Sequence, residues 1–460
     1  METRETRRQF HKMTDMPIPR LVCSLAAPTV AGTLISAACS LGDTYFVSRL
    51  GTSAAGAFGV TFPFLTVMQA IGYTFGMGSG TIVSCSLGKK DNDAADAAVS
   101  TAFLLSLLLG GALTAAGLLF LAGLLRFLGA TPTILPFAVN YARLLLPGAP
   151  IVCASFVLNN DLRAEGRTLW SMAATVSGGA VGLCLDPVLM FRLHMGISGA
   201  AAAYVIGQAV NLLILLFCYF RGKSIVHIGL RHIFRQHCLA GILKTGAPSL
   251  LRQGLASAAA ILLNLAAAVY GDAAVAAMSI VGRAFFFLLA AILGFSQGLQ
   301  PVAGYNFGAG ESGRLKQAFR FSVLVGTGGL ALLCAAGYCF APGIMALFRG
   351  DDPRVIAIGT AAFRYQCVVT PLQAFVVVSN MLFQSVGREK EASLIASLRQ
   401  GLCFLPFILT LPYWFGLPGV ELSQPCADLL SFLVSIPVTL RFLRQLGRAD
   451  RKGLADSPVR

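Results

Sequence analysis

The chain has 460 residues, of which 56% are hydrophobic and only 12% charged, and its mean hydropathy is +0.74. A soluble domain cannot hide so much apolar side chain, so a polytopic membrane protein is implied and a soluble globular protein is excluded. The net charge of +15 is scattered over many short loops and forms no single basic face for nucleic acid.

Twelve apolar runs follow one another, at about 20–48, 53–86, 94–125, 132–160, 168–191, 197–220, 238–268, 273–306, 318–347, 354–386, 391–415 and 419–443. Each is long enough to cross a ~30 Å hydrocarbon core as a helix. With the N-terminus placed in the cytoplasm, the inner side collects the basic residues of positions 4–20, Lys89 and Lys90, Arg163 and Arg167, Arg221 to Lys244, Arg314 to Arg320, Arg388 to Arg399 and the C-terminal tail. The outer side has Arg49, Arg126, Arg192, Arg349 and Arg354. That asymmetry obeys the positive-inside rule and puts both termini in the cytoplasm. The 12 cysteines sit almost entirely in apolar runs and form no C-x-x-C pair, so they read as small buried residues, not as a disulfide framework or a metal site.

Residues 1–19 are basic and interrupted by Pro17 and Pro19; they read as a cytoplasmic segment, or alternatively as an amphipathic gate on the membrane surface. Span 1 then carries Asp43 near its outer end, and a carboxylate inside a span usually marks an ion or proton path. The competing reading pairs Asp43 with Arg49 at the interface. Span 2 offers a polar edge of Thr61, Gln69 and Tyr73 and a cluster of small residues from Gly76 to Gly80 that suits close helix packing.

The stretch Val139–Arg167 is written twice. Arg143, Pro150, Asn159, Gly166 and Arg167 recur as Arg364, Pro371, Asn380, Gly387 and Arg388 at a constant offset of 221, and further matches such as Gly196 to Gly416 follow at 220. The chain is two fused copies of one unit of roughly 200 residues. This gives a first six-helix bundle at 20–220, a linker at 221–237, a second bundle at 238–446 and a tail at 447–460. Six spans per copy relate the bundles by a pseudo-two-fold axis along the membrane normal, and rocking of two bundles gives alternating access. Arg143 and Arg364 are expected to bond carbonyls that Pro150 and Pro371 leave without a donor.

Span 5 ends in Leu185-Asp186-Pro187, which sets Asp186 at the depth of Asp43. If spans 1 and 5 are neighbours, the two carboxylates share a site for a proton or a monovalent cation. His227, His232 and His237 in the linker are spaced by five, wrong for one helical face and hence for a metal. Asp43 and Asp186 have no acidic counterpart in the second copy, which favours the first for ion coupling. Tyr45, Phe62, Phe64, Tyr73 and Phe285 to Phe287 can receive flat cations by cation–π contact, the alternative for most of them being packing or contact with lipid. No ATP-binding P-loop occurs.

The segments SLGDTYFVSRLGTSAAGAFG, FVLNNDLRAEG, LDPVLMF with MGISGAAAA, FQSVGREKEASLIASLRQ and FGLPGVELSQPCADLLS together resemble the MATE (multidrug and toxic compound extrusion) family over about residues 20 to 445. The resemblance implies an all-α, V-shaped, twelve-helix transporter, not an enzyme, in the plasma or inner membrane. It would need no cofactor beyond H⁺ or Na⁺, and would export small organic cations or drugs from within membrane lipid. It also implies that Asp43 and Asp186 are the coupling acids. Family members often have Asn and Thr where this chain has Gly182 and Tyr204; the change removes oxygen ligands and favours protons over Na⁺. The alternative is a flippase for a lipid-linked precursor, for which Arg143, Arg252, Arg283 and Arg364 would supply a basic cleft.

Overall fold

The computed structural model describes residues 4–222, 224–229, 238–348 and 352–451. Residues 223 and 230–237 of the linker, with His232 and His237, lie outside the described residues, as do Arg349 and the tail from 452 onward. The first helices are α1 (Arg4–Asp15), α2 (Ile18–Ser48), α3 (Thr52–Gly88), α4 (Asn92–Leu119), α5 (Leu121–Phe127), α6 (Leu135–Leu145), α7 (Ala149–Ala164), α8 (Thr168–Pro187) and α9 (Ile197–Phe220). They are followed by α10 (Cys238–Ala268), α11 (Asp272–Gly308), α12 (Ser312–Phe348), α13 (Pro353–Ser385), α14 (Glu389–Ser397), α15 (Phe404–Phe415) and α16 (Leu417–Arg451). Among the described residues, 12 helical stretches are long and apolar enough to span a membrane, and each overlaps one of the runs read from the sequence. The third span ends at Leu119, earlier than the apolar run does, because Phe120 leaves helical geometry (φ −109°, ψ 18°) and a separate short helix begins.

By their internal contacts the residues form two units, Met1–Phe10 with Ala31–Leu250 and His11–Val30 with Leu251–Arg460. Residues 11–30 therefore count with the second unit and 238–250 with the first.

In the first unit the core gathers Val47, Ala57, Met68, Leu125, Tyr141, Leu145, Val152 and Met190. α8 and α9 touch backbone to backbone: a Cβ on Gly178 would sit 2.6 Å from the Gly207 carbonyl oxygen, so only glycine fits there. Span 4 is broken at Leu146–Gly148, where Pro147 and Pro150 flank Gly148 and a 3₁₀ turn joins α6 to α7. Pro150 has no N–H for the Leu146 carbonyl four residues back. The 3₁₀ turn gives that carbonyl the Ala149 N–H instead, and Thr114 Oγ1 of α4 adds a second donor at 2.6 Å. The second copy has Val368 and Val369 in place of Pro147 and Gly148, and α13 runs unbroken through Pro371.

The proline rule therefore operates, but through other donors than the sequence suggests. Arg143 is exposed and makes no hydrogen bond among the described residues. Arg364 Nε donates to the Tyr338 carbonyl at 3.3 Å and lies 5.1 Å from the Tyr338 ring. Tyr338 is four residues before Pro342 of α12, so Arg364 serves a carbonyl freed by a proline on the neighbouring helix, not by Pro371.

A second repeated device ties the helices on either side of the glycine turns at 166 and 387. Asn159 Nδ2 donates to the Ser171 carbonyl at 3.2 Å and to Thr175 Oγ1 at 2.7 Å, while Ser171 Oγ returns a bond to Asn159 Oδ1. In the second unit Asn380 Nδ2 donates to the Ala392 carbonyl at 2.8 Å, the same interval of twelve residues. Gly166 and Gly387 turn the chain at φ +83° and +72°, where a side chain would be strained.

Replacing Thr114 with Val should lower stability by about 0.6 kcal/mol, the mean for an interhelical hydrogen bond in membranes, since the Ala149 N–H still donates to the Leu146 carbonyl. Thermal unfolding in detergent measures this, and Thr114→Ser should restore the wild-type value.

Candidate functional site

Asp43 of α2 and Asp186 of α8 meet because two parallel helices approach closely and in register. A Cβ on Gly42 would run into Leu183 Cδ1, and one on Gly179 would fall 3.2 Å from Cys39 Sγ. Asp43, directly after Gly42, and Asp186, one turn beyond Leu183, come within hydrogen-bonding reach of each other. Asp186 is buried, with 2% of its surface left, and its Oδ2 has no donor among the described residues. Asp43 is half-buried. The conditional reading that spans 1 and 5 are neighbours thus holds, and the pair faces inward instead of joining Arg49, whose guanidinium stacks on Tyr45 at 5.0 Å.

Pro187, directly after Asp186, denies the Leu183 carbonyl its donor, and the helix widens into a π turn over Val188–Arg192. Such turns inside α-helices often accompany functional residues, since they redirect side chains without ending the helix.

Two tyrosines border the acids. Tyr141 of α6 is buried to 1% of its surface and lies within the electrostatic reach of both Asp43 and Asp186, while its ring meets Phe58 edge-on at 5.8 Å. Tyr204 of α9 is close to Asp43 and Tyr73 and is hydrogen-bonded to Gln69 of α3. Tyr73 packs against Phe156 with ring centres 4.9 Å apart. Of the residues that the sequence nominates for a cavity, Gln69 and Tyr73 therefore join the acids through Tyr204. Tyr45 and Phe62 are exposed, at 52% and 57%, and Tyr45 turns toward Arg49 and Phe46. Gly182 is a packing position: a Cβ there would meet the Ala203 carbonyl oxygen of α9 at 3.4 Å, an ordinary contact.

Sequence reading overlooked Tyr141, although it lies inside the repeated stretch. The usable signal is divergence: the residue 221 positions later is Ala362, so this aromatic belongs to one copy only. The same test exposes Asp161 and Glu165, which face Leu382 and Val386 in the second copy. Asp161 is buried and accepts from Ser79 Oγ at 2.6 Å, and its other oxygen has no donor among the described residues.

Glu165 stands between two spans and latches the start of the linker. Its Oε1 accepts from Ser224 Oγ at 2.7 Å and its Oε2 from the Ile225 N–H at 2.8 Å, while Gln9 donates to its backbone carbonyl at 3.0 Å. Asp96 takes the His227 N–H at 2.7 Å a little farther along. Burial pushes the Glu165 carboxyl up to about 7; the Ser224 and Ile225 hydrogen bonds and the nearby Arg167 charge pull the other way, and Asp96 adds to the rise.

An acid whose pKa is higher folded than unfolded binds a proton on folding, so its stabilisation is complete below about 4.5 and is lost as pH rises through about 7. The shift corresponds to about 3 kcal/mol at full effect. Thermal unfolding between pH 5 and 8 should therefore show falling stability with rising pH. Glu165→Gln should flatten that slope and raise the melting temperature at pH 8.

The MatE family model matches residues 28–188 and 248–409, one match in each copy. The chain is 27% identical over 433 residues to the multidrug export protein MepA of Staphylococcus haemolyticus, covering 93% of this chain and 95% of that protein. A crystal structure of MATE in complex with MaL6 superposes with a TM-score of 0.92 at 25% identity, over 96% of this chain and 99% of the other. A transporter of the MOP superfamily from Pyrococcus furiosus, described as having a binding pocket of reversed polarity, superposes at 0.91 with 26% identity, over 96% and 99% of the two chains.

Proposed function

Because the chain belongs to the MatE family, we propose that this multi-pass membrane protein is a secondary active exporter of organic, often cationic compounds, working by alternating access and antiport with H⁺ or Na⁺. Relatives named for multidrug export support the substrate class. The observation that carries the coupling assignment is the contact between the Asp43 and Asp186 carboxyls.

Two carboxylates held together cannot both ionise at low cost. Two unit charges ~4 Å apart repel by about 4 kcal/mol even at an effective dielectric of 20, about three decades in an equilibrium constant. The pair therefore keeps one positive charge, and a proton is the smallest that serves. A cationic substrate reaching the pair competes with that proton, since either neutralises the same two groups. Protons arriving from outside then displace the substrate, and the ion gradient drives export through this difference in occupancy. Tyr141 and Tyr204 stand beside the acids as hydroxyl groups, with Gln69 orienting Tyr204. The buried Asp186 Oδ2 is an acceptor ready for a proton or an ammonium N–H.

The proton is favoured over Na⁺ because Gly182 supplies no oxygen and the described partners of the acids add few, whereas Na⁺ needs several. Proteoliposomes loaded with ethidium and given a pH gradient alone, then a Na⁺ gradient alone, separate the two. Exchange should follow the pH gradient. Asp43→Asn should reduce it at least ten-fold while the purified protein keeps its melting temperature and elution volume. An Asp43→Asn protein that exports at the wild-type rate would overturn the coupling assignment.

A further inference from the structure

The second unit has no acid pair, but it does have a built polar centre in the middle of its helices. Asp428 of α16 has no exposed surface, and three side chains donate to its carboxylate: Gln366 Nε2 of α13 at 2.6 Å, Gln424 Nε2 at 2.8 Å and Arg399 Nε at 2.9 Å. Gln373 Nε2 holds the Asp428 backbone carbonyl at 2.9 Å. Sequence reading counted Arg399 with the inner basic residues, yet it lies ten residues into the span Glu389–Phe415, about 15 Å along the helix. It sits in a π turn, Leu398–Leu402, that separates α14 from α15.

Stability alone gives a poor account of this arrangement, because a buried ion pair seldom outperforms apolar residues of equal volume. The geometry shows instead a guanidinium that is held but not used up. Asp428 engages only Nε. Among the described residues no hydrogen bond reaches Nη1 or Nη2, and the side chain keeps 16% of its surface. Phe285 of α11 covers one face at 5.1 Å, and the outer Nη1–Nη2 edge carries no hydrogen bond among the described residues. That edge presents two parallel N–H groups, the fork that matches an oxyanion. The repeat supports a ligand-facing position: at the offset of 220, Gln424 stands where the first unit has Tyr204, the neighbour of Asp43.

We propose that Arg399, oriented by Asp428, Gln366 and Gln424 and backed by Phe285, is an oxyanion-binding group of the second unit, which takes the carboxylate or phosphate of an amphiphilic aromatic compound. The inference rests on the export reading only for its physiological role; the site itself is a matter of binding.

The test compares rhodamine B, which has a free carboxylate, with its ethyl ester, by equilibrium binding to the protein in detergent and by uptake into proteoliposomes. Removing Arg399 alone leaves Asp428 buried and unpaired, so Arg399→Gln is made together with Asp428→Asn, which keeps the cluster neutral and hydrogen-bonded; Arg399→Lys serves as the second variant. The affinity ratio of acid to ester should fall about 10- to 100-fold in the double variant, the range expected for a charge-assisted bond, and less in Arg399→Lys. An unchanged ratio in a variant that elutes and melts like a folded protein would mean a purely structural ion pair and would overturn the proposal. Competition by dodecyl phosphate against dodecanoate, read in the wild type and the double variant, distinguishes a lipid-type phosphate from a carboxylate; if neither competes in an Arg399-dependent way, the proposal falls. Failure of the export reading would show differently, as no uptake of either dye by the wild type, and would leave the binding ratio to decide the role of Arg399.

Discussion

The repulsion between two adjoining carboxylates, one buried and one half-buried, is the constraint around which the first unit is arranged. Where α2 meets α8, Gly42 lies against the Leu183 side chain and Gly179 against Cys39, and Asp43 and Asp186 come together at the same contact. Such a contact is costly unless a positive charge accompanies it, and that cost makes the site responsive. On the proposed export reading, a pair that needs one cation exchanges one kind for another. The tyrosines, Gln69 and the π turn after Pro187 are the local means of holding this geometry inside an apolar bundle.

Elsewhere the recurrent problem is the backbone. Each proline inside a span frees a carbonyl that lipid cannot satisfy. The two cases with a clear donor use different chemistry for one purpose: Thr114 bonds Leu146, freed by Pro150, and Arg364 bonds Tyr338, freed by Pro342. In both, the donor comes from an adjacent helix, so the kink and the helix contact stabilise each other. Asn159 and Asn380 show a stricter inheritance, since each copy keeps the same residue, the same bond and the same interval.

The two copies have thus conserved what makes a bundle and diverged in what charges it holds. The first has acids at Asp43, Asp186, Asp161 and Glu165; the second has the Arg399–Asp428 cluster, fixed by glutamines on two helices. A duplicated scaffold permits this because helix packing depends on small residues and apolar surface, whereas the polar interior of each bundle is free to change so long as most buried groups find partners.

Composition and periodicity by themselves determined the number of spans, the duplication and the candidate acids, because apolar length, repeated spacing and an intramembrane charge are one-dimensional signals. The depth of Asp43 and Asp186 was legible in the same way. Tertiary structure alone decided that the two touch, that Tyr141 lies near them, and which carbonyl Arg364 serves. It also moved Arg399 from a basic loop tally to the middle of a helix, beside an aspartate 29 residues on. Those outcomes depend on which helices pack and at what rotation, and the rotation is set by a few glycine contacts across helices, a three-dimensional property that residue spacing along one chain does not encode.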